Sequence, residues 1–445
     1  MKKRIQSGLL FLIVLALLGG CTPGTGADPS PGPEQTPSAS ASADPIPETG
    51  GPEPTASPEP EPPTDPIADQ LAELTTEQKV GQLLMAGIEG TTAGEDARTA
   101  IVEYQAGGVI LFGRNVESAG QLAGLTNELK GLNGTYVPLL LGVDEEGGTV
   151  SRMPAEVDDV PSAYSFGQIS DPDQRMDACF ALGQTLAAEC AAFGFNLDFA
   201  PVMDIWSNPD NTVIGRRAFG SDLAPAVYAA NETAWGMLSG GVIAAAKHFP
   251  GHGDTAVDSH YGLPTVEKTV DELMEFELVP FRQAIEGTCV YGAAGGDSSI
   301  PVIMVAHILM SAIDPDRPAS LSQAVVTGLL REELGFSGVV CTDDLTMAAV
   351  SDTYGMGEAA VLAMEAGCDL LLVCHGADNL TAARSALLEA VESGRITQAR
   401  LDESVYRILK LKADFNLTND PVEENVDVDG LNRQISALKE QLAGT

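Results

Sequence analysis

The sequence predicts an α/β fold, a closed parallel (β/α)8 barrel of the TIM type, and three observations support it. Eight short apolar or β-branched runs recur along the chain, and the intervals between them show helical periodicity. Nearly every run is followed by a polar or charged side chain. Alternating strands and helices build a parallel sheet, and eight such units are the number that closes a barrel.

The predicted elements are spread through the chain from about residue 67 onward. The strands cover residues 82–85, 108–112, 138–143, 196–200, 242–246, 302–306, 338–342 and 369–374. The helical segments between them include residues 118–130, 173–193, 224–238, 270–286, 323–334 and 355–366. We expect residues 67–418 to form one domain and residues 419–445 to form a tail with a short amphipathic helix around residues 431–442.

Polar side chains at the strand ends favour a closed barrel over an open doubly wound sheet. They are Arg114, Asn115, Asp144, Glu145, Asp204, Lys247, His248, His307, Asp343, Asp344 and His375, taken from the second run to the eighth. In a closed barrel these groups converge on one face, whereas an open sheet gathers them at its switch point. No glycine-rich phosphate-binding motif follows the first run, which argues against a nucleotide site.

The N-terminal 21 residues predict export and lipidation. Lys2, Lys3 and Arg4 precede an uncharged apolar stretch that is short for a membrane span, as in a signal peptide. The quartet Leu18-Gly19-Gly20-Cys21 resembles the bacterial lipobox, in which the cysteine becomes the lipidated first residue of the mature protein. We therefore expect residues 1–21 to be removed or modified, with Cys21 as a lipid anchor outside the cytoplasm. The alternative is an ordinary signal peptide with a chance cysteine.

Composition separates residues 22–66 from the rest of the chain. This segment is rich in Pro, Glu, Ser and Thr, and residues 22–65 contain no Lys, Arg, Phe, Trp or Tyr. It cannot bury enough apolar surface to fold, so we expect a disordered tether between the anchor and the barrel. The whole chain has a formal net charge of −39, which argues against nucleic acid or anionic lipid surfaces as partners. We expect a monomer.

The six cysteines after Cys21 do not form a metal-binding or disulfide pattern. They are Cys179, Cys190, Cys289, Cys341, Cys368 and Cys374, and no two have C-x-x-C spacing. Several stand in apolar, strand-like surroundings. We expect them to be small buried apolar residues.

The run of residues 247–260 holds three of the five histidines of the chain. An aspartate can fix the tautomer of a nearby histidine and stabilise its charged form, so Asp258 and His260 form a candidate acid/base pair. We interpret His248, beside Lys247, as a substrate contact at the mouth of the barrel. The favoured role for His252 is bracing the loop, and Asp254 could stabilise the glycine-rich turn.

Two alternatives concern the chemistry of these residues. His248, His252, Asp254, Asp258 and His260 could form a zinc or two-metal hydrolase site, but H-E-x-x-H and H-x-H-x-D-H are absent, so no metal and no cofactor is predicted. Asp343 and Asp344 follow the seventh strand, where a carboxylate can attack an anomeric carbon. We assign that role to Asp343, because an aspartate such as Asp344 commonly caps a following helix.

Several motifs in order resemble the single-barrel β-N-acetylglucosaminidases of glycoside hydrolase family 3, from about residue 74 to residue 417. They are Gly107 to Phe112, Val143 to Gly148 through Arg152, Asn196 to Val202 before Asp204, Ile214 to Phe219, Lys247 to His260, Met304 to His307 and Thr342 to Leu345. The resemblance implies Asp343 as nucleophile, His260 as general acid/base and Asp258 as its partner. It also implies Asp144, Arg152, Arg217, Lys247 and His248 as sugar-binding residues.

Two departures from the family pattern concern substrate fit. Glu145 stands where the family often has glutamine, and residues 289–299 look like an insertion before the sixth strand.

The tail after Leu417 is too short for the second domain from which two-domain β-glucosidases bring a glutamate acid. The acid should therefore come from the barrel, which favours His260.

These features together predict a single catalytic domain that acts on a carbohydrate partner. We expect a retaining exo-β-N-acetylhexosaminidase acting on cell-wall or chitin-type glycans. The alternatives are a family 3 glycosidase or phosphorylase of other specificity, a metal-dependent hydrolase, and a glycan-binding lipoprotein.

Overall fold

The computed structural model describes residues 65–255, 262–287 and 299–444. Eight parallel strands form the central sheet, and we number them β1 to β8 in chain order. They are β1 Leu84–Gly87, β2 Gly108–Ile110, β3 Leu140–Val143, β4 Leu197–Asp198, β5 Ile243–Phe249, β6 Val302–Val305, β7 Val339–Thr342 and β8 Leu371–Val373. Neighbours along the sheet follow the order β8-β1-β2-β3-β4-β5-β6-β7. The predicted (β/α)8 TIM-type barrel is confirmed.

The barrel closes between β7 and β8 with few ladder bonds. A single bridge joins Cys341 to Leu370, and the Thr342 N–H donates to the Leu370 carbonyl at 3.0 Å. Side chains add to this seam: Thr342 Oγ1 accepts from the Leu372 N–H at 3.1 Å, and Asp369 Oδ2 accepts from the Val340 N–H at 3.0 Å. The closure therefore depends on side chains as well as on strand pairing.

The barrel interior is filled with side chains, and no space remains in β3 for a side chain at Gly142. All seven residues of β5 are buried, as are all four of β3. A Cβ atom added at Gly142 would lie 2.3 Å from Cε of Met85 and 3.0 Å from the Phe199 ring. Because cores are packed at crystal density, glycine is the residue that fits there.

Helices connect the strands and surround the barrel. The α-helices of the described residues are Pro66–Glu73, Thr76–Gln82, Glu95–Arg98, Ala119–Asn133, Ala163–Gly167, Pro172–Ala192, Leu223–Ser239, Val270–Glu275, Val279–Glu286, Ala348–Ser351, Met356–Ala366, Ala377–Glu392, Gln398–Asp414 and Val428–Ala443. Thr99–Glu103 and Ala324–Glu333 are π-helical, and Gly113–Asn115, Gly215–Arg217 and Ala319–Leu321 are 3-10 turns. A two-stranded parallel pair, Thr265–Val266 with Leu309–Met310, lies outside the barrel.

Three predicted elements differ from the structure. The first strand begins at Leu84, because Thr75 and Gln78 form a capping box that starts a helix ending at Gln82. The predicted helix over 270–286 is two helices, and the second has Pro280 in its first turn, where the missing N–H costs nothing. The segment predicted over 323–334 is the π-helix Ala324–Glu333.

The predicted amphipathic stretch near the C-terminus is the helix Val428–Ala443. It buries Leu431, Ile435 and Leu438, whose spacing places them on one face. This helix packs against Pro172–Ala192, where Gln434 Nε2 lies 3.4 Å from Thr185 Oγ1. Within the described ranges, no helix is long and apolar enough to cross a membrane. The five cysteines of these ranges, at positions 179, 190, 341, 368 and 374, are buried free thiols, as expected.

We expect Asp369→Asn to destabilise the barrel by about 3–5 kcal/mol, because Asp369 is fully buried and faces three arginines. Arg331 lies 2.5 Å and Arg407 3.1 Å from its carboxylate. Urea unfolding of the wild type and the variant measures the difference.

The matched control is Asp414→Asn, which removes the partner of Lys410 in a pair whose two side chains are each 53% exposed. Its cost should be below about 1 kcal/mol, as for other exposed pairs. Equal losses for the two variants would contradict the role of Asp369 in closing the barrel.

Candidate active site

The carboxyl ends of the barrel strands open into a cavity of about 540 Å³. It is lined by the six predicted site residues that the structure describes, namely Asp144, Arg152, Arg217, Lys247, His248 and Asp343. The strand-end pattern predicted that Asp144, Lys247, His248 and Asp343 come together, and the family resemblance added Arg152 and Arg217. Asp258, His260 and Cys21 lie outside the described residues.

A buried ion cluster forms one wall of the cavity. Glu146 accepts from Arg217 through both carboxylate oxygens, at 2.8 Å each, and lies 2.6 Å from Nζ of Lys247. Lys247 also donates to Asp144 Oδ1 at 2.6 Å. Two cations and two anions therefore form a neutral group, and this pairing permits Lys247 to be only 2% exposed.

The charge states in this cluster are held by its own members. Burial alone would raise the pKa of Glu146, but Arg217 and Lys247 outweigh it and hold that pKa well below its usual range. Burial would lower the pKa of Lys247, whereas Asp144 and Glu146 raise it above the usual value. The Asp144 side chain is 20% exposed, so it presents a carboxylate to the cavity.

His248 is oriented by Asp204, which follows β4. Nδ1 of His248 lies 2.6 Å from Asp204 Oδ2, and Nε2 lies 3.3 Å from Nη2 of Arg217. A guanidinium can only donate, so in the neutral ring Nε2 is the acceptor and the proton is on Nδ1, facing Asp204. Burial would raise the pKa of Asp204, but His248 outweighs it and lowers that pKa.

The loop after β5 is fixed through the same aspartate. Asp204 Oδ1 accepts from the His252 N–H at 2.6 Å, and Nδ1 of His252 lies 2.7 Å from Thr255 Oγ1. These bonds agree with the bracing role favoured for His252. Asp254 pairs with Lys268 at 2.9 Å and accepts from Ser207 Oγ, so it also links this loop to its neighbours.

Asp343 follows β7 at the floor of the cavity. Its backbone N–H donates to the Val305 carbonyl at 3.0 Å, which continues the ladder between β6 and β7. Burial would raise the pKa of Asp343, but His307, His248, the Asp344 N–H and Lys247 together lower it below its usual value. A part-buried carboxylate that stays ionised and faces a cavity is suited to nucleophilic attack.

Asp344 does not cap a helix, which corrects the alternative weighed for it. The next helix, Ala348–Ser351, begins after Met347 and has no side-chain cap. Asp344 instead accepts from the Thr346 N–H at 2.9 Å and the Cys374 N–H at 3.1 Å. Asp344 therefore links the end of β7 to the end of β8. It does not cap the helix because the tight turn at Thr346 lies between them.

A glycine turn places Arg152 at the cavity. Gly147 and Gly148 have φ of 73° and 62°, a conformation that other residues rarely adopt. They reverse the chain so that Glu146 and Val150 pair through a 2.9 Å backbone bond. The Arg152 N–H then donates to Glu145 Oε2 at 2.7 Å, which brings Arg152 beside the ion cluster.

Comparison with known proteins identifies the family. The protein-family model described as "Glycosyl hydrolase family 3 N terminal domain" matches residues 75–411. The chain belongs to glycoside hydrolase family 3.

The family relatives include bacterial enzymes named for hexosaminidase activity. A beta-hexosaminidase of Alkalilimnicola ehrlichii is 39% identical over 294 residues, which cover 66% of this chain and 80% of that protein. Beta-hexosaminidase A of Pseudoalteromonas piscicida is 33% identical over 380 residues, and the match covers 76% of this chain but only 61% of that relative.

Solved structures of the family have the same fold. A glycoside hydrolase family 3 beta-N-acetylglucosaminidase from Paenibacillus sp. str. FPU-7 superposes with a TM-score of 0.74 at 41% identity, covering 83% of this chain and 69% of that chain. The family resemblance stated from the sequence motifs is thus confirmed.

Two residues of this family 3 site had no assigned role in the sequence. Glu146 stood only within a motif, and Asp204 was noted only as a strand-end residue. A usable signal existed for Glu146, because Arg217 and Lys247 are two cations expected at one cavity and require nearby anions, and Glu146 is adjacent to the predicted strand-end acids. In the described ranges, no group of three His, Cys, Asp or Glu side chains is arranged to hold a metal ion.

We expect Glu146→Gln to destabilise the protein by about 3 kcal/mol at neutral pH, because it leaves the buried Lys247 and the part-buried Arg217 with less negative charge. A carboxyl group with a lowered pKa contributes stability above its ordinary value of 4.5, and that contribution is lost as the pH falls. The difference between variant and wild type should therefore shrink below about pH 4.5. Denaturant unfolding at several pH values measures it.

Glu358→Gln is the control, since it disrupts an exposed pair with Arg395. A difference for Glu146→Gln that stays constant into acid would show that its ionisation does not stabilise the fold.

Proposed function

We propose that this chain is a retaining, exo-acting β-N-acetylhexosaminidase that removes terminal β-linked N-acetylglucosamine. The observation that carries the proposal is the position of Asp343, a part-buried carboxylate whose pKa is held below its usual value and which lines a cavity with Asp144, Arg217 and Lys247. Its family 3 relatives named as hexosaminidases support the choice of N-acetylated sugar.

In the first step, Asp343 attacks the anomeric carbon and the bond to the leaving oxygen breaks. His260 gives its proton to that oxygen, so a glycosyl ester on Asp343 and a free alcohol result. In the second step, His260 takes a proton from water and the resulting oxygen displaces Asp343. Two inversions at one carbon retain the β configuration. Asp258 orients His260 and stabilises its charged form.

The ion cluster supplies the groups that hold the sugar. Asp144 accepts from sugar hydroxyls with its part-exposed carboxylate, while Lys247 fixes that carboxylate in place. Arg152, Arg217 and His248 line the same cavity and offer hydrogen-bonding groups to the remaining hydroxyl and acetamido oxygens. A neutral cluster can surround a neutral sugar without attracting counter-ions into the site.

We further propose that the enzyme acts outside the cytoplasm on cell-wall or chitin-type glycans, anchored by lipid on Cys21. The basic residues at positions 2–4, the apolar stretch after them and the quartet ending at Cys21 support this. The Pro-rich segment that follows would extend the reach of the barrel from the membrane.

Asp343→Ala should reduce the turnover of an aryl N-acetyl-β-glucosaminide at least about 1,000-fold, because the nucleophile is lost. Added azide should enter the space left by the carboxylate and yield the α-glycosyl azide. Proton NMR of wild-type hydrolysis should show the β anomer first.

Asp344→Ala is the matched control for the neighbouring carboxylate, and it should not give an azide product. An α anomer as first product would exclude retention. Turnover by Asp343→Ala at the wild-type rate would contradict the assignment of Asp343 as the nucleophile. Sugar 1-phosphate formed in phosphate buffer would indicate phosphorolysis instead of hydrolysis.

Cys21→Ser should move the protein from the detergent phase to the aqueous phase of a detergent extraction, because the acyl chains supply membrane affinity. Cys289→Ser, a substitution outside the lipobox, should leave the partition unchanged. Wild-type protein in the aqueous phase would contradict the anchor, without bearing on the hydrolase chemistry.

A further inference from the structure

Three buried carboxyl groups lie behind the sugar-binding wall and take no part in the proposed mechanism. Glu145 and Glu189 are each 1% exposed, and Asp198 is fully buried. They come from three elements: the end of β3, the helix Pro172–Ala192 and β4. The Glu145 N–H donates to Asp198 Oδ1 at 2.9 Å, which joins two of them directly.

The cluster lacks the cations that neutralise the acids of the cavity wall. Among the described residues, Oε2 of Glu189 and Oδ2 of Asp198 have no hydrogen-bond partner. Unpaired buried carboxylates are costly, so a buried acid without a partner takes up a proton. Burial raises the pKa of Asp198 and that of Glu189 well above their usual values.

Glu145 differs from the other two because one hydrogen bond links it to Arg152, a residue that lines the substrate cavity. Its Oε2 accepts from the Arg152 N–H at 2.7 Å, directly after the Gly147-Gly148 turn. Burial raises the pKa of Glu145 to about 7, against the opposing effects of the Arg152 N–H and the Ser151 hydroxyl. Of the three acids, Glu145 is therefore the one whose charge changes near neutral pH.

We propose that Glu145 is a positioning residue that makes the placement of Arg152, and through it substrate binding, depend on pH near neutrality. The inference rests on the proposed function, in which Arg152 contacts the sugar. Ionised Glu145 forms a charge-assisted bond to the Arg152 N–H and attracts the guanidinium, whereas the protonated acid holds the loop less firmly. A glutamine here would accept the same bond at every pH.

Other charged groups near Glu145 set where this change occurs. Those that face it, directly or through Asp198 and Glu189, are Arg152, Asp144, Lys247, Cys190 and Lys439. Arg152 favours ionisation of Glu145, and its neighbouring acids oppose it. The lysines act on the partners: Lys247 on Asp198, and Lys439 on Glu189.

The direct test follows the Arg152 amide in the whole protein labelled with 15N-arginine. In the wild type, the Arg152 amide proton should shift with pH in a single step near pH 7, following Glu145. In Glu145→Gln the shift should be flat over the same range. Glu189→Gln is the matched control: it also exchanges a buried carboxyl of the cluster, but it leaves the acceptor of the Arg152 N–H in place, so the step should remain.

The kinetic test compares KM and kcat of the same proteins on an aryl N-acetyl-β-glucosaminide. Wild-type KM should fall about five-fold as the pH rises through the step, since a charge-assisted bond is roughly twice as strong as a neutral one. In Glu145→Gln, KM should not depend on pH, while kcat keeps its wild-type profile because Asp343 and His260 are unchanged.

Two results would overturn the proposal: a step in the Arg152 amide that persists in Glu145→Gln, or a wild-type amide and KM that stay flat with pH. If no variant hydrolyses the substrate at any pH, the proposed function fails, and the amide measurement alone decides the role of Glu145. Thermal unfolding of each variant verifies that it is folded.

Discussion

The buried carboxylate of Glu146 is the interaction on which the site depends. It binds Arg217 through two parallel hydrogen bonds and Lys247 through a third contact, so groups carried by three different parts of the barrel rim meet at one anion. Without it, two cations would lie in a largely dry wall, and they would take up water or move apart. Lys247 in turn fixes Asp144, and Arg217 sets the tautomer of His248. The positions of Asp144, Arg217, Lys247 and His248 in the cavity wall thus depend on this one acid.

The barrel makes this arrangement possible because it brings the carboxyl ends of distant strands together. Glu146 and Arg217 are 71 residues apart, and Asp144 and Lys247 are 103 apart. The same geometry brings Asp343 to the same cavity, where His307, His248 and Lys247 hold its pKa below the usual value although partial burial opposes them. The cavity therefore contains an ionised carboxylate, which we propose as the nucleophile, and a wall of paired charges. Burial raises the pKa of each of the three acids behind that wall above its usual value, which limits further negative charge near the cluster.

The sequence predicted the barrel and the members of the cavity because both depend on local patterns. Eight apolar runs with polar ends were sufficient to place Asp144, Lys247, His248 and Asp343 on one face, and family motifs added Arg152 and Arg217. Partnerships between distant side chains were not visible in those patterns. The link of Glu146 to Arg217 and that of Asp204 to His248 arise only when the barrel closes. The division of residues 270–286 into two helices depended on Pro280, a local signal that the apolar periodicity concealed.

The most direct measurement of the central claim is mass spectrometry of a trapped intermediate. A fluorinated N-acetylglucosaminyl fluoride reacts through its good leaving group, and its electron-withdrawing fluorine slows hydrolysis of the glycosyl ester. We expect one added sugar on the peptide that contains Asp343 and no labelling of the Asp343→Ala variant. A sugar attached to a different carboxylate, such as Asp144 or Asp344, would rule out Asp343 as the nucleophile, as would steady turnover of this reagent with no covalent adduct.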